Sequence, residues 1–99
     1  MISALDDTLL ALADPTRRRL LEVLLAGEAS AADLAIAVGV RRDELSRHMT
    51  VLEEAELISR RPHGEGELIA ANPAPLEIAA EWINTNRELW AMRSQMQEK

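Results

Sequence analysis

Arg42, Ser46 and Thr50 recur at i, i+4 and i+8, with Asp43 and Arg47 flanking them, so in a helix they stand along one side. Guanidiniums and short hydroxyls with no large apolar neighbour match base edges and phosphate oxygens. Arginine presents paired N–H donors to guanine or phosphate, and a hydroxyl both donates and accepts. A small-molecule pocket would instead want apolar walls. In the same stretch Leu45, Met49 and Leu52 fall at i, i+4 and i+7 and stack on another side as a buried stripe. The run from Arg41 to Leu52 therefore predicts an amphipathic helix, about 42–54, whose wet side suits DNA.

Such a helix needs a support. Directly upstream, Ser30 to Val38 is another short amphipathic stretch, and Gly39 stops it. Ser30 is a good N-cap, with Asp33 three residues on as an approximate capping box. Leu34, Ala35 and Val38 then turn inward. Two short helices joined by a tight glycine-containing turn form a helix-turn-helix, here about residues 30–55. Arg41 is a poor N-cap, so Asp43 and Glu44 in the first turn help to hold that end or exclude wrong bases.

Downstream, Leu57 to Arg61 and Glu67 to Ala71 are short apolar-rich runs separated by Pro62-His63-Gly64-Glu65-Gly66. That is a hairpin, and a hairpin after a helix-turn-helix is a wing, about residues 57–71. Arg60, Arg61 and His63 would meet phosphate or the minor groove; Glu65 and Glu67 work against this.

Upstream of the pair, Ser3 to Ala13 reads as a helix with Leu5, Leu9 and Leu12 at i, i+4 and i+7 and with Asp6 and Asp7 early, where the helix dipole favours anions. Asp14-Pro15 ends it and starts a second helix to Ala26, with Leu20, Leu21, Val23 and Leu24 as its apolar side. Gly27 stands in the usual place for a left-handed cap. Arg17, Arg18 and Arg19 cannot all point one way, and are expected to pair with acids such as Asp14 or Glu22 or to be solvated. Glu28 to Ser30 is a link able to add a small strand.

Pro73 and Pro75 punctuate before a long final helix, about 75–97, with two apolar stripes. Ile78, Trp82, Leu89, Met92 and Met96 line one, an a/d-like seam with Thr85 at the remaining step. Leu76, Ala79, Ile83 and Trp90 line the other. One stripe is expected to pack on the protomer's own core, the other on the same helix of a second copy. A dimer also suits the reading helix, because two copies address half-sites one helical turn apart.

The chain's 99 residues make one domain, 47% hydrophobic, with an aliphatic core because Trp82 and Trp90 are the only aromatics. The absence of cysteine excludes disulfides and thiolate metal sites. The start, Met1 to Asp7, has no basic leader and no window has membrane-spanning length, so a cytoplasmic location is expected. Net charge is −6, yet the segment Arg41 to His63 holds five arginines and five acids, and the acidic excess lies outside it. A near-neutral reading surface on an acidic body binds DNA weakly and best at low salt.

Ala11-Leu12-Ala13-Asp14-Pro15-Thr16-Arg17-Arg18 resembles the opening signature of the ArsR/SmtB-type winged-helix repressors. Glu28 to Val38 resembles their supporting helix, and Leu45-Ser46-Arg47-His48-Met49-Thr50-Val51-Leu52 through Ile58 their recognition helix and its exit into the wing. The final segment, with Pro75-Leu76, Trp82 and Trp90, is similar to the branch without thiolate metal sites. The resemblance covers essentially the whole chain. It implies a mainly α winged helix-turn-helix with five helices and a small β-hairpin wing. It further implies a homodimeric transcriptional repressor paired through the first and last helices, with Arg42, Ser46, Arg47 and His48 at double-stranded DNA. The expected DNA set is then Arg41, Arg42, Ser46, Arg47, His48, Thr50, Arg60, Arg61 and His63. The expected dimer set is Leu5, Leu9, Ile78, Trp82, Leu89, Met92 and Met96. Arg41-Arg42 replace the family's usual Ser-Gln, and Asp43 and Glu44 its small or hydroxyl residues. These departures bear on operator strength and sequence rather than on fold.

No nucleophile–base pair, phosphate-cradling glycine loop or acid/base carboxylate pair stands out, so an enzyme is not expected. Glu77 and Glu81 at i, i+4 read as a solvated face rather than a metal site, and no cofactor is expected. The alternative function is a winged-helix protein-interaction module with weak or no DNA binding, suggested by Asp43, Glu44 and Glu65. A third reading makes Trp82, Trp90 and the methionines walls of a site for an apolar small-molecule inducer; the simpler one makes them dimer core.

Overall fold

Asp14-Pro15 divides the N-terminal helical run, and in the computed structural model, which describes residues 3–97, α1 (Ala4–Ala11) and α2 (Pro15–Ala26) meet there. Met1 and Ile2, the start of the segment read above as lacking a leader, lie outside those residues. The order continues β1 (Ala29–Ser30), α3 (Ala31–Val38), α4 (Arg42–Glu54), β2 (Ile58–His63), β3 (Gly66–Ala71) and α5 (Ala74–Gln97). This is a winged helix-turn-helix of five helices with a small antiparallel sheet in the order β1-β3-β2.

Each helix start has a local cause. Ser3 and Asp6 form a reciprocal capping box at α1. Asp14 Oδ1 accepts from the Thr16 and Arg17 N–H groups at 2.8 and 3.1 Å, and Pro15 at the first position lacks the donor that would otherwise be orphaned. Ser30 caps α3 by accepting from Asp33 N–H at 3.1 Å, which is one half of the expected box. Arg41 makes no side-chain cap at α4.

The ends differ more from expectation. Gly39 closes α3 in the left-handed region at φ 76°. Gly27, expected to do the same for α2, is extended instead at φ 161°. The left-handed residue at the exit of α4 is Glu56, φ 61°. Leu57 N–H reaches Leu52 O and Glu56 N–H reaches Glu53 O, both at 2.9 Å, which is the Schellman pattern, with Leu52 and Leu57 buried against it.

The core is aliphatic. Leu20, Leu34, Leu45, Leu52, Leu57 and Ile69 are fully buried, joined by Leu21, Leu24, Met49 and Ile58. From α1 the core takes Thr8 and Ala11; of the leucine stripe, Leu12 just past the helix packs against it, while Leu9 is exposed. The wing turns through Gly64-Glu65, with Gly64 at φ 59° in the positive-φ position of a two-residue hairpin turn.

The last helix corrects one expectation. Ala79 is buried and Leu76 half-buried, but from position 80 through 96 every residue except the half-buried Ser94 is exposed. Ile83 and Trp90 of the second stripe are exposed together with Ile78, Trp82, Leu89, Met92 and Met96 of the first, so neither stripe as a whole packs on the protomer's own core. A helix of 24 residues is about 36 Å long, more than the body can underlie: the chain measures 64 × 28 × 21 Å. Both stripes therefore lack a cover in the outer half of α5.

Candidate nucleic-acid interface

The core stripe Leu45, Met49 and Leu52 is buried, which fixes the rotation of α4 and turns Arg42, Ser46, Arg47 and Thr50 outward and exposed. Among the described residues, the Arg42 and Arg47 side chains make no hydrogen bond or ion pair, and both are exposed to solvent. Thr50 is outward but its hydroxyl donates to the Ser46 carbonyl at 3.0 Å, the usual helical i−4 bond. Arg41 is exposed and donates to Asp43 at 3.3 Å.

His48 is the member of the reading-helix set that the structure moves. Its side chain is 17% exposed, with Nδ1 3.4 Å from Arg17 Nη1 and Nε2 3.9 Å from Glu44 Oε2. It sits three residues after Leu45 and four before Leu52, at the margin of the buried stripe, and is turned into the body rather than presented with Arg47. Of the acids that suggested a protein-interaction module, Asp43 accepts from Arg41 and Glu44 Oε2 lies 3.9 Å from His48 Nε2.

The wing also departs from expectation. Arg60 stands opposite buried Ile69 in the hairpin register, so it lies on the body side of the sheet. Its Nε and Nη2 donate to Glu67, the shortest contact 2.6 Å, and Nη1 is 3.8 Å from Glu53. The hydrogen bonds from Arg60 hold the Glu67 carboxyl below the usual carboxylate range, against partial desolvation, with the nearby charge of Arg42 adding a little. The same bonds hold the Arg60 guanidinium up, more firmly protonated than an ordinary arginine. Arg60 therefore braces the wing and is not among the outward cations. Arg61 donates to Glu28 at 3.0 Å in an exposed pair, a type of contact worth ~0–1 kcal/mol and exchangeable for phosphate. His63 is exposed at the wing tip.

The arginine cluster of α2 was legible only as a charge run, and its role is different from pairing with acids. Arg17 Nε donates to Ala11 O at 2.6 Å and Nη2 to Leu10 O at 3.2 Å, while Arg18 donates to Leu12 O at 2.8 Å. Both cap the carbonyl end of α1. The available signal was the two-residue gap before Asp14-Pro15, which leaves α1's last carbonyls within reach of the first turn of α2. Asp14 itself is held below the usual aspartate range, first by the Arg17 backbone N–H.

Among the described residues no group of three or more His, Asp or Glu is placed to hold a metal ion, and no helix is long and apolar enough to cross a membrane.

A family model described as a helix-turn-helix domain matches residues 12–61, half of the chain, from the end of α1 into the wing. The transcriptional repressor SdpR of Bacillus subtilis is 32% identical over 73 residues, which are 74% of this chain and 81% of SdpR. The crystal structure of the ArsR family transcriptional regulator RHA00566 superposes with a TM-score of 0.81 at 29% identity, covering 90% of this chain and 98% of that one. The homodimeric winged helix-turn-helix DNA-binding domain of Mb0332 from Mycobacterium bovis shares the fold, with a TM-score of 0.67 at 19% identity over 97% of this chain and 86% of that one.

Proposed function

This chain belongs to the ArsR/SmtB-type family of winged helix-turn-helix transcriptional regulators, and from that premise we propose that it works as a homodimeric repressor of a palindromic operator. Its family comprises DNA-binding regulators, not enzymes. In this reading α4 enters the major groove, with Arg42, Ser46 and Arg47 meeting base edges and phosphates. Thr50 and Arg41 lie at the margins of that contact, and Arg61 and His63 follow the backbone beside it.

The observation that carries the reading is the outward strip of α4 together with the uncovered outer half of α5. The strip presents two guanidiniums that make no side-chain hydrogen bond or ion pair among the described residues, Arg42 lying near enough to Glu67 to lend it some charge stabilisation. The helix presents Ile78, Trp82, Leu89, Met92 and Met96, at least half exposed in each case, which a second copy would cover. Leu9 on α1, 40% exposed, and half-buried Leu5 extend that face. Trp82, Trp90 and the methionines are then dimer core rather than walls of an inducer site. Helix helps helix here: pairing α5 with α5 sets the distance between two reading helices, which on DNA must be about 34–36 Å or a multiple of it. A cytoplasmic location goes with this role.

The test is binding of a duplex spanning the region upstream of its own coding sequence, with sedimentation to count protomers. Two protomers per duplex and an affinity that falls steeply with salt are expected. Retention of no duplex at low ionic strength, or binding by single protomers, overturns it.

A further inference from the structure

We propose that Arg17 and His48 form a positioning clamp for DNA reading, fixing the angle between the reading helix α4 and the platform made by α1 and α5. The inference rests on the reading that α4 contacts DNA. One planar guanidinium here meets three atoms on two elements: it donates to Ala11 O at 2.6 Å and Leu10 O at 3.2 Å at the end of α1, and its Nη1 lies 3.4 Å from His48 Nδ1 on the flank of α4. Because a guanidinium only donates, the clamp requires the tautomer in which Nδ1 accepts and the proton sits on Nε2, the nitrogen that faces Glu44 Oε2 at 3.9 Å. The backbone of Arg17 is itself fixed, since its N–H donates to the Asp14 cap at 3.1 Å. The end of α1, the start of α2 and the middle of α4 therefore converge on one side chain.

The buried stripe of Leu45, Met49 and Leu52 holds α4 on the core, and beside Arg17 the packing is thinner. There a groove runs between α1 and α4, with buried Ala11 and Ala55 among its lining and Asp7, Leu10, Val51 and Glu54 exposed along it. His48 follows Arg47 directly, so a tilt or rotation of α4 at this point displaces the guanidinium offered to the groove of DNA. Hydrogen bonding of the kind seen here is directional, and base reading tolerates little misplacement. Lysine at position 17 would keep the charge but could not span three acceptors in one plane.

The experiment compares Arg17→Gln, Arg17→Lys, His48→Leu, His48→Gln and the double variant Arg17→Gln/His48→Leu with the wild-type chain. Affinity for the upstream duplex is measured by fluorescence anisotropy over a range of salt, with thermal unfolding and sedimentation in parallel. The clamp predicts that Arg17→Gln and His48→Leu each lose roughly tenfold in affinity while remaining folded and dimeric. It predicts an unchanged salt slope, a double variant no worse than either single one, and recovery of most of the loss in His48→Gln but not in Arg17→Lys. Wild-type affinity in both single variants overturns it, as do additive losses. A slope reduced by about one phosphate in Arg17→Gln also overturns it, because Arg17 would then touch DNA directly. Should Arg17→Gln fail to fold, His48→Leu decides alone by the same affinity and slope. A wild-type chain that retains no duplex fails the underlying reading and takes the clamp with it. Wild-type binding with unaffected variants removes the clamp only.

Discussion

Arg60 and Glu67 meet diagonally across the wing, one step from the Pro62–Glu67 pair, with Nη2 2.6 Å from Oε2. Arg60 is thus neutralised from within the hairpin, at the position that pairs in register with buried Ile69. The wing is held by an ion pair where a turn and two short strands alone would be marginal.

Replacing Glu67 by Gln should have two opposite effects. Unfolding stability should fall by ~0.5–1 kcal/mol or less, because the pair is part exposed and screened. Affinity for DNA should rise and its salt dependence steepen by about one phosphate, since Arg60 is released. Urea titration and anisotropy at several salt concentrations measure the two effects on the same samples. An unchanged slope would mean that Arg60 cannot reach the backbone even when free.

Arg47→Ala should weaken operator binding by ~1–3 kcal/mol and flatten the preference among sequences if the guanidinium reads a base edge. A uniform loss across sequences, with a shallower salt slope, would assign Arg47 to phosphate instead. Selection of bound fragments by wild type and variant distinguishes these outcomes.

Asp14 gives the chain an acid-sensitive joint. Its carboxyl is held below the ordinary value, chiefly by the Arg17 N–H, so its contribution to stability is complete above the unfolded aspartate value. That contribution fades as pH falls through the lower folded value. Asp14→Asn keeps an acceptor for the cap but removes the titration. Its unfolding curves should show less loss of stability across that acid range than the wild type, with little difference in shape near neutrality.

Glu56→Gly should stabilise the fold by ~1 kcal/mol. A left-handed L-residue costs roughly 1–2 kcal/mol and glycine loses part of that gain in chain entropy. Thermal unfolding of Glu56→Gly against Glu56→Ala checks it: alanine keeps the strain and should not gain.

Leu89→Glu should separate the protomers without unfolding them, because Leu89 is 58% exposed and contributes nothing to the protomer's core. Sedimentation should show single copies with native circular dichroism, and duplex affinity should fall with the loss of the second half-site. A variant that stays dimeric would move the interface away from this helix.

What the sequence told of this fold was what periodicity and punctuation carry. The spacing of Leu45, Met49 and Leu52 fixes which side of α4 faces the core, and Gly39 and Gly64 mark turns because only their backbone freedom fits there. The pattern failed where a contact depends on angles between elements. Nothing in the spacing of Arg17 says that its guanidinium meets the end of one helix and the flank of another 31 residues away. The ion pair of Arg60 was not legible because its partner follows from the hairpin register. Glu56 gave no warning, since a glutamate in a glycine position has no signature of its own. The two stripes of α5 were real, but periodicity is blind to whether the body extends far enough to underlie them.

Because α5 outruns the body, a lone copy displays indoles, leucines and thioethers that water accommodates poorly. Such a copy should be more open to chaperones and proteases than a paired one. At low expression the amount of paired protein should then follow the square of chain abundance, so that a modest fall in synthesis silences the regulator more abruptly than the fall itself.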